Sequence, residues 1–261
     1  MRKKINYKLL ALSLSIAIFG SAHADTYSLL DNPRPSMEGM NEEAEYGHKL
    51  ISETFLYLGP EVADEKMRYA GNNYSCTNCH QEDATKPYAM PWTGLSKVKS
   101  QDDIVKSINQ HFTTSMAGKP LPVDSKEMKG ILAYIDYLSQ SVPEGTTEVV
   151  GLGLNPIKLP TGAADLDEGE ELYEDSCAIC HGPQGQGVRI GVVGDAHGYT
   201  NPPIWGKDSF AKDSSFNNVD TLTRYIYNNM PTGANHESPI FDEGEARNIA
   251  EYILKQYNET R

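Results

Sequence analysis

Positive charge, cysteine and long apolar runs are all scarce in this chain. Its 261 residues hold 23 Lys and Arg against 36 Asp and Glu, which argues against nucleic acid as a partner. No stretch reaches the roughly 20 apolar residues that span a bilayer. The longest run, Leu9 to Phe19, follows Arg2, Lys3, Lys4 and Lys8 and leads into Ala22-His23-Ala24. That order reads as a secretory signal, residues 1–24, cleaved after Ala24, and predicts a periplasmic protein beginning at Asp25. The leader holds four of the basic residues and none of the acidic ones, so its loss makes the remainder more acidic still.

Cysteine is the scarcest of the informative residues, at four, and in an oxidising compartment four would ordinarily read as two disulfides. The spacing argues otherwise. Both pairs are C-x-x-C followed at once by histidine: Cys76-Thr77-Asn78-Cys79-His80 and Cys177-Ala178-Ile179-Cys180-His181. Two thiols three positions apart can form thioethers to the two vinyl groups of one haem, and the next residue is carried round to the iron as its proximal ligand. A thioredoxin-like pair or a zinc site would not require that histidine, still less twice. The expectation is two covalently attached haem c groups, held by Cys76, Cys79 and His80 and by Cys177, Cys180 and His181.

Two haems predict an all-α chain of two class I cytochrome c-like domains in tandem, at 25–143 and 163–261, because a porphyrin supplies core that a hundred residues could not. The sequence repeats accordingly. Pro91-Trp92-Thr93-Gly94 follows the first motif and Pro203-Ile204-Trp205-Gly206 the second, each offering a proline carbonyl for the Nδ1 proton of the proximal histidine. Each half closes on an amphipathic segment with i, i+3, i+4 apolar spacing, one from Ser125 through Ile131, Tyr134 and Leu138, the other from Asp242 through Ile249, Tyr252 and Leu254. Between them, 144–162 contains Gly145, Gly151, Gly153 and Pro156 and reads as a linker. Glu168–Tyr173 predicts a helix ahead of the second motif. Its counterpart, Gly47–Ile51, stands about twenty residues further from its cysteines, so Phe55–Ala70 reads as an insertion.

The sixth iron ligand decides whether a haem is open to chemistry. Measured back from the closing helices, Met230 precedes Tyr252 by 22 residues and His111 precedes Tyr134 by 23. This nominates Met230 for the second haem and His111 for the first, with Met116 as competitor to His111. His197 and His236 are weaker candidates in the second half, and His48 lies far upstream. Such ligands would put the first haem at lower potential than the second, so that electrons run from first to second and on to a soluble or membrane-bound redox partner, basic to suit the acidic surface.

From about Gly47 to its end the chain resembles the dihaem thiosulfate dehydrogenases, which in some members also act as tetrathionate reductases. The resemblance rests on Tyr69-Ala70-Gly71-Asn72, on Ser115-Met116-Ala117-Gly118-Lys119-Pro120-Leu121-Pro122, on Pro202–Phe210 and on Asn229-Met230-Pro231. It implies a catalytic first haem acting on thiosulfate or tetrathionate, and a second haem, ligated by Met230, that passes electrons out. Members of the family ligate the catalytic haem with a cysteine, where this chain has His111, and place an arginine four residues earlier, where it has Ser107. An imidazole replaces a thiolate, and no guanidinium is left at that position to clamp an anion. Lys97, Lys99 and Lys106 are the nearby cations. Two expectations follow: an oxidoreductase of sulfur oxyanions, and a non-catalytic electron carrier or electron-transfer subunit of a redox complex.

Overall fold

The computed structural model describes residues 25–32, 34–191 and 197–260; the stretch read as a secretory signal, 1–24, lies outside them. Among the described residues ten helical segments run α1 (Glu42–Ser52), α2 (Thr54–Tyr57), α3 (Gln81–Ala84, a single turn of left-handed backbone), α4 (Leu95–Val98), α5 (Gln101–Thr114), α6 (Lys126–Ser139), α7 (Leu166–Ser176), α8 (Ala178–His181), α9 (Val219–Asn229) and α10 (Glu243–Glu259). The longer ones start where a short polar side chain takes up an orphan backbone N–H: Asn41, Ser100, Ser125, Asp165, Asn218 and Asp242 each accept one or more. Such a cap contributes about 1 kcal/mol. Asp242 and Glu245 complete a reciprocal capping box on α10.

The two halves are built on the same helix crossing. In the first, α1 lies across α6 so closely that a Cβ on Gly47 would fall 1.9 Å from the Gly130 carbonyl oxygen and 3.0 Å from the Tyr134 Cβ. In the second, α7 lies across α10, and a Cβ on Gly169 would fall 2.3 Å from the Asn248 oxygen and 3.1 Å from the Tyr252 Cβ. Only glycine permits such an approach. Gly47 and Gly169 thus hold equivalent places in the two crossings, as do Tyr134 and Tyr252, the two tyrosines used to measure the repeat.

The chain is helical, with two small sheets beyond the all-α expectation. β1 (Asp25–Ser28) pairs in parallel with β2 (Thr146–Val150), and β3 (Val188–Arg189) pairs antiparallel with β4 (Tyr199–Asn201). β2 falls inside the segment read as a linker. Its run Thr146-Thr147-Glu148-Val149-Val150 is β-branched at every position but Glu148, and Val149 is buried against Leu29 and Val142.

The insertion holds α2 and reaches into the second half. Phe55 occupies the space beside Gly198, and Glu61 pairs with Arg189 at 3.1 Å. Direct hydrogen bonds join the halves elsewhere: Asn72 to the Ser209 carbonyl at 3.4 Å, Asn229 to the Tyr88 carbonyl at 3.1 Å, and the Tyr225 hydroxyl to the Cys79 carbonyl at 2.9 Å. One continuous apolar core runs through both halves.

Candidate haem cavities

Each C-x-x-C-H lines a cavity, and Cys79 lines both. The first bounds about 910 Å³ of empty space out to its mouth and is walled by Cys76, Cys79 and His80, by Trp92, Ile104 and Phe112, and by both His111 and Met116. The second bounds about 1610 Å³ and is walled by Cys177, Cys180, His181, Met230, Ile249 and Ile253. All four cysteines are unpaired. Burial pushes the Cys76 thiol up, and burial together with its neighbouring thiol pushes Cys79 and Cys177 up to about 12. Thiols that hold their protons so firmly are poor thiolate nucleophiles, which counts against a thioredoxin-like pair.

The two proximal imidazoles are prepared alike. His80 Nδ1 donates to the Met90 carbonyl at 2.7 Å and His181 Nδ1 to the Pro202 carbonyl at 2.8 Å, leaving Nε2 as the ring's ligating nitrogen. Burial lowers both pKa values; that of His80 falls to about 4, with His111 adding to the effect. Both rings are therefore neutral at neutral pH, as a metal ligand must be. The acceptors correct the expectation that Pro91 and Pro203 would serve: in each half it is the residue just before the Pro-x-x-Gly proline. Tertiary position, which the four-residue pattern does not encode, selects the carbonyl that faces the ring.

After His80 the chain makes a left-handed turn, with Glu82, Asp83 and Ala84 at φ of 54°, 56° and 62°. Three such residues cost roughly 1–2 kcal/mol each. The turn is clamped from outside: Arg34 bonds the Glu82 carbonyl and the Asp83 carboxylate, His48 meets that carboxylate at 3.0 Å, and the Tyr134 hydroxyl donates to the Asp83 carbonyl at 2.8 Å. His48, Arg34 and the Asp83 hydrogen bonds hold that carboxyl below its usual range despite partial burial. His48 is thus a clamp on the turn and not a wall of either cavity.

Opposite His80, the His111 ring sits with its centroid 5.8 Å from that of His80. Two imidazoles bound on opposite sides of one metal ion, each at roughly 2 Å, have their ring centres about 6 Å apart. His111 Nδ1 donates to the Ser107 carbonyl at 2.8 Å, which again leaves Nε2 for iron. Met116, 5% exposed, lines the same cavity one turn beyond. In the second cavity Met230 ends α9 in extended backbone, φ −127° and ψ 145°, as the residue before a proline must. A haem therefore fits both cavities: each wall carries two thiols, a neutral imidazole and apolar side chains, with the His111 imidazole near His80 in the first and the Met230 thioether lining the second.

His197 and His236 line neither cavity; His236 faces Tyr88, and the His197 carbonyl accepts from Arg189. Nor do Lys97, Lys99 and Lys106. Lys97 pairs with Glu144, and Lys106 lies 3.9 Å from Asp103. Among its described lining residues the first cavity carries hydroxyls instead, at Ser75, Ser107, Ser115, Ser214 and Ser215. Two of the stretches behind the family resemblance lie side by side next to it: Gly71 N–H donates to the Met116 carbonyl and Lys119 N–H to the Tyr69 carbonyl, each at 2.8 Å.

A helical fold with a C-x-x-C-H wall to its cavities defines a c-type cytochrome, and residues 166–256 match the cytochrome c family, which implies covalently bound haem c. Over 193 residues the chain is 32% identical to the thiosulfate dehydrogenase of Stutzerimonas stutzeri, covering 71% of this chain and 60% of that protein. Over 199 residues it is 32% identical to the thiosulfate dehydrogenase of Allochromatium vinosum, covering 71% and 70%. It belongs to the thiosulfate dehydrogenase family. The solved structure of thiosulfate dehydrogenase (TsdBA) from Marichromatium purpuratum shares its fold, with a TM-score of 0.71 at 24% identity over 85% of this chain and 48% of that one. The matched region spans about 60% of the length of the Stutzerimonas stutzeri relative and of one from Psychrobacter arcticus.

Proposed function

We propose that this chain is a periplasmic dihaem cytochrome, two cytochrome c domains in tandem, that exchanges electrons with a sulfur oxyanion at the first cavity and with a redox partner at the second. The observation that carries the reading is the pair of cavities sharing walls, with Tyr74, Cys79, Phe210 and Phe216 lining both. A bound haem supplies reversible one-electron chemistry at each. The chain's own residues do the rest. Cys76 and Cys79, and Cys177 and Cys180, provide the anchors; the Met90 and Pro202 carbonyls orient His80 and His181; His111 in the first cavity and Met230 in the second would supply the remaining iron ligands. The reaction joins two thiosulfate ions through a new S–S bond into tetrathionate and releases two electrons, which leave one at a time to the partner; tetrathionate reduction is the reverse. The hydroxyls of the first cavity can donate to an anionic substrate. The partner is basic, matching the acidic surface.

One observation favours a second reading, an electron carrier without substrate chemistry: with ring centroids 5.8 Å apart, His80 and His111 would both hold the iron of a haem bound in the first cavity. Purified protein supplied with thiosulfate and ferricyanide, and separately with tetrathionate and a reduced dye, distinguishes the two. Turnover in either direction supports the enzyme; a protein inert in both is the carrier.

A further inference from the structure

The two cavities differ in charge as well as in ligand. Among their described lining residues the first has no Lys, Arg, Asp or Glu, whereas the second has Lys86 and Glu82. The Glu82 side chain is 53% exposed and turned toward Arg34. Lys86 is different: it belongs to the first half, is only 7% exposed, and stands in the wall of the second half's cavity. Its Nζ donates to the Ala234 carbonyl at 2.8 Å, four residues past Met230, and to Gln81 Oε1 at 2.8 Å. Gln81 in turn donates to the Tyr225 hydroxyl at 3.1 Å. The ammonium is thus fixed by two acceptors, one from each half, away from bulk water.

We infer that Lys86 is a positioning residue for electron flow, a fixed cation supplied by the first half that raises the reduction potential of the haem in the second cavity relative to that in the first. The oxidised iron carries one more positive charge than the reduced iron. A buried cation in the wall of the second cavity, only partly offset by the half-exposed Glu82 carboxylate, therefore disfavours oxidation of that haem more than of one in the first cavity, which Lys86 does not line. The direction agrees with the thioether of Met230 against the imidazole of His111, so charge and ligand both set electrons running from first to second.

The inference rests on a haem occupying the second cavity, which intact mass establishes separately by counting porphyrins. The test is a spectroelectrochemical titration of the dihaem protein and of Lys86→Gln, which keeps a donor for the Ala234 carbonyl but removes the charge. Lys86→Met provides a second neutral variant, and Lys86→Arg keeps the charge. The expected result is a lower potential for the methionine-ligated haem in both neutral variants, an unmoved first haem, and a value near the parent's in Lys86→Arg. An unchanged second haem in either neutral variant overturns the inference, as does an equal fall in both haems or an Arg variant that behaves like Gln. A parent carrying no second porphyrin overturns it together with the dihaem reading, and the mass tells that case apart.

Discussion

The two halves share one plan and finish it differently. Both cross two helices at a glycine, both present Cys-x-x-Cys-His to a cavity, and both hold the proximal imidazole by a backbone carbonyl. The opposite wall is where they part. The second half offers a methionine from the end of α9, in backbone that its following proline drives extended. The first offers an imidazole from the last turn of α5, hydrogen-bonded to its own helix at Ser107. A helix-borne ligand is set by the register of that helix, while a ligand in the loop after a helix is set by the turn. The scaffold conserves the anchored side of the site and leaves the other side to local sequence, which is where the electronic properties of a haem are decided.

The largest expected effect comes from deleting one anchor set at a time. Cys76→Ala with Cys79→Ala should leave a protein one porphyrin lighter by mass, with the first cavity empty and its half poorly folded. Cys177→Ala with Cys180→Ala should do the same to the second half. An empty apolar cavity of this size costs far more than a domain of such length can spare. Because the cavities share Tyr74, Cys79, Phe210 and Phe216, loss of either haem should also loosen the other half, visible as faster amide exchange there. Two porphyrins retained in either double variant would defeat the attachment assignment itself.

Next in size, His111→Gly and Met230→Gly separate the halves by spectrum. His111→Gly should turn one haem high-spin and leave the methionine charge-transfer band, whereas Met230→Gly should abolish that band and spare the first haem. A low-spin first haem in His111→Gly, with a second methionine band appearing, would transfer the ligand role to Met116, which is buried in the same wall.

The sequence made the anchored side of both sites legible, because covalent attachment imposes a fixed spacing that no tertiary contact can alter. The ends of the closing helices were equally plain: Ser125 and Asp242 act as caps locally. The ruler built on Tyr134 and Tyr252 has a structural basis, since both tyrosines pack beside the glycine of a helix crossing and so mark equivalent heights. What depended on distant chain could not be read. β2 looked like irregular linker because its partner strand lies some 120 residues earlier. The carbonyl that accepts from each proximal histidine was misplaced by one residue, since only the folded loop decides which one faces the ring. Lys86 gave no signal at all, as a lone lysine is ordinarily a solvated one and its acceptor Ala234 belongs to the other half.

A smaller effect tests whether the crossings are equally tight. Gly47→Ala puts a methyl 1.9 Å from the Gly130 oxygen, and Gly169→Ala puts one 2.3 Å from the Asn248 oxygen. Backbone cannot yield as a side-chain tip does, so each should cost about 2–3 kcal/mol. For a chain of this length that is a fall of roughly 5–10 °C in Tm. The first-half variant should be the worse. Equal losses would mean that the first half relaxes around its shorter contact, and a reversed order would show that the α7–α10 crossing is the more rigid.

The smallest expected effect concerns the insertion that only the first half has. Glu61 extends from it to Arg189 at 3.1 Å, and both side chains are partly exposed, at 27% and 20%. Arg189 is also held by the His197 carbonyl at 2.8 Å and lies over the Tyr199 ring, so it keeps its place without the carboxylate. Glu61→Gln, which keeps an oxygen acceptor for the guanidinium, should therefore cost only about 1 kcal/mol, the upper end for a partly exposed ion pair, and the cost should shrink further in high salt. Arg189→Ala removes the carbonyl and ring contacts as well and should cost more. If Glu61→Gln instead lowers Tm as much as Arg189→Ala does, in low and high salt alike, the insertion is a principal tie between the halves, and the apolar seat of Phe55 beside Gly198 is the secondary one.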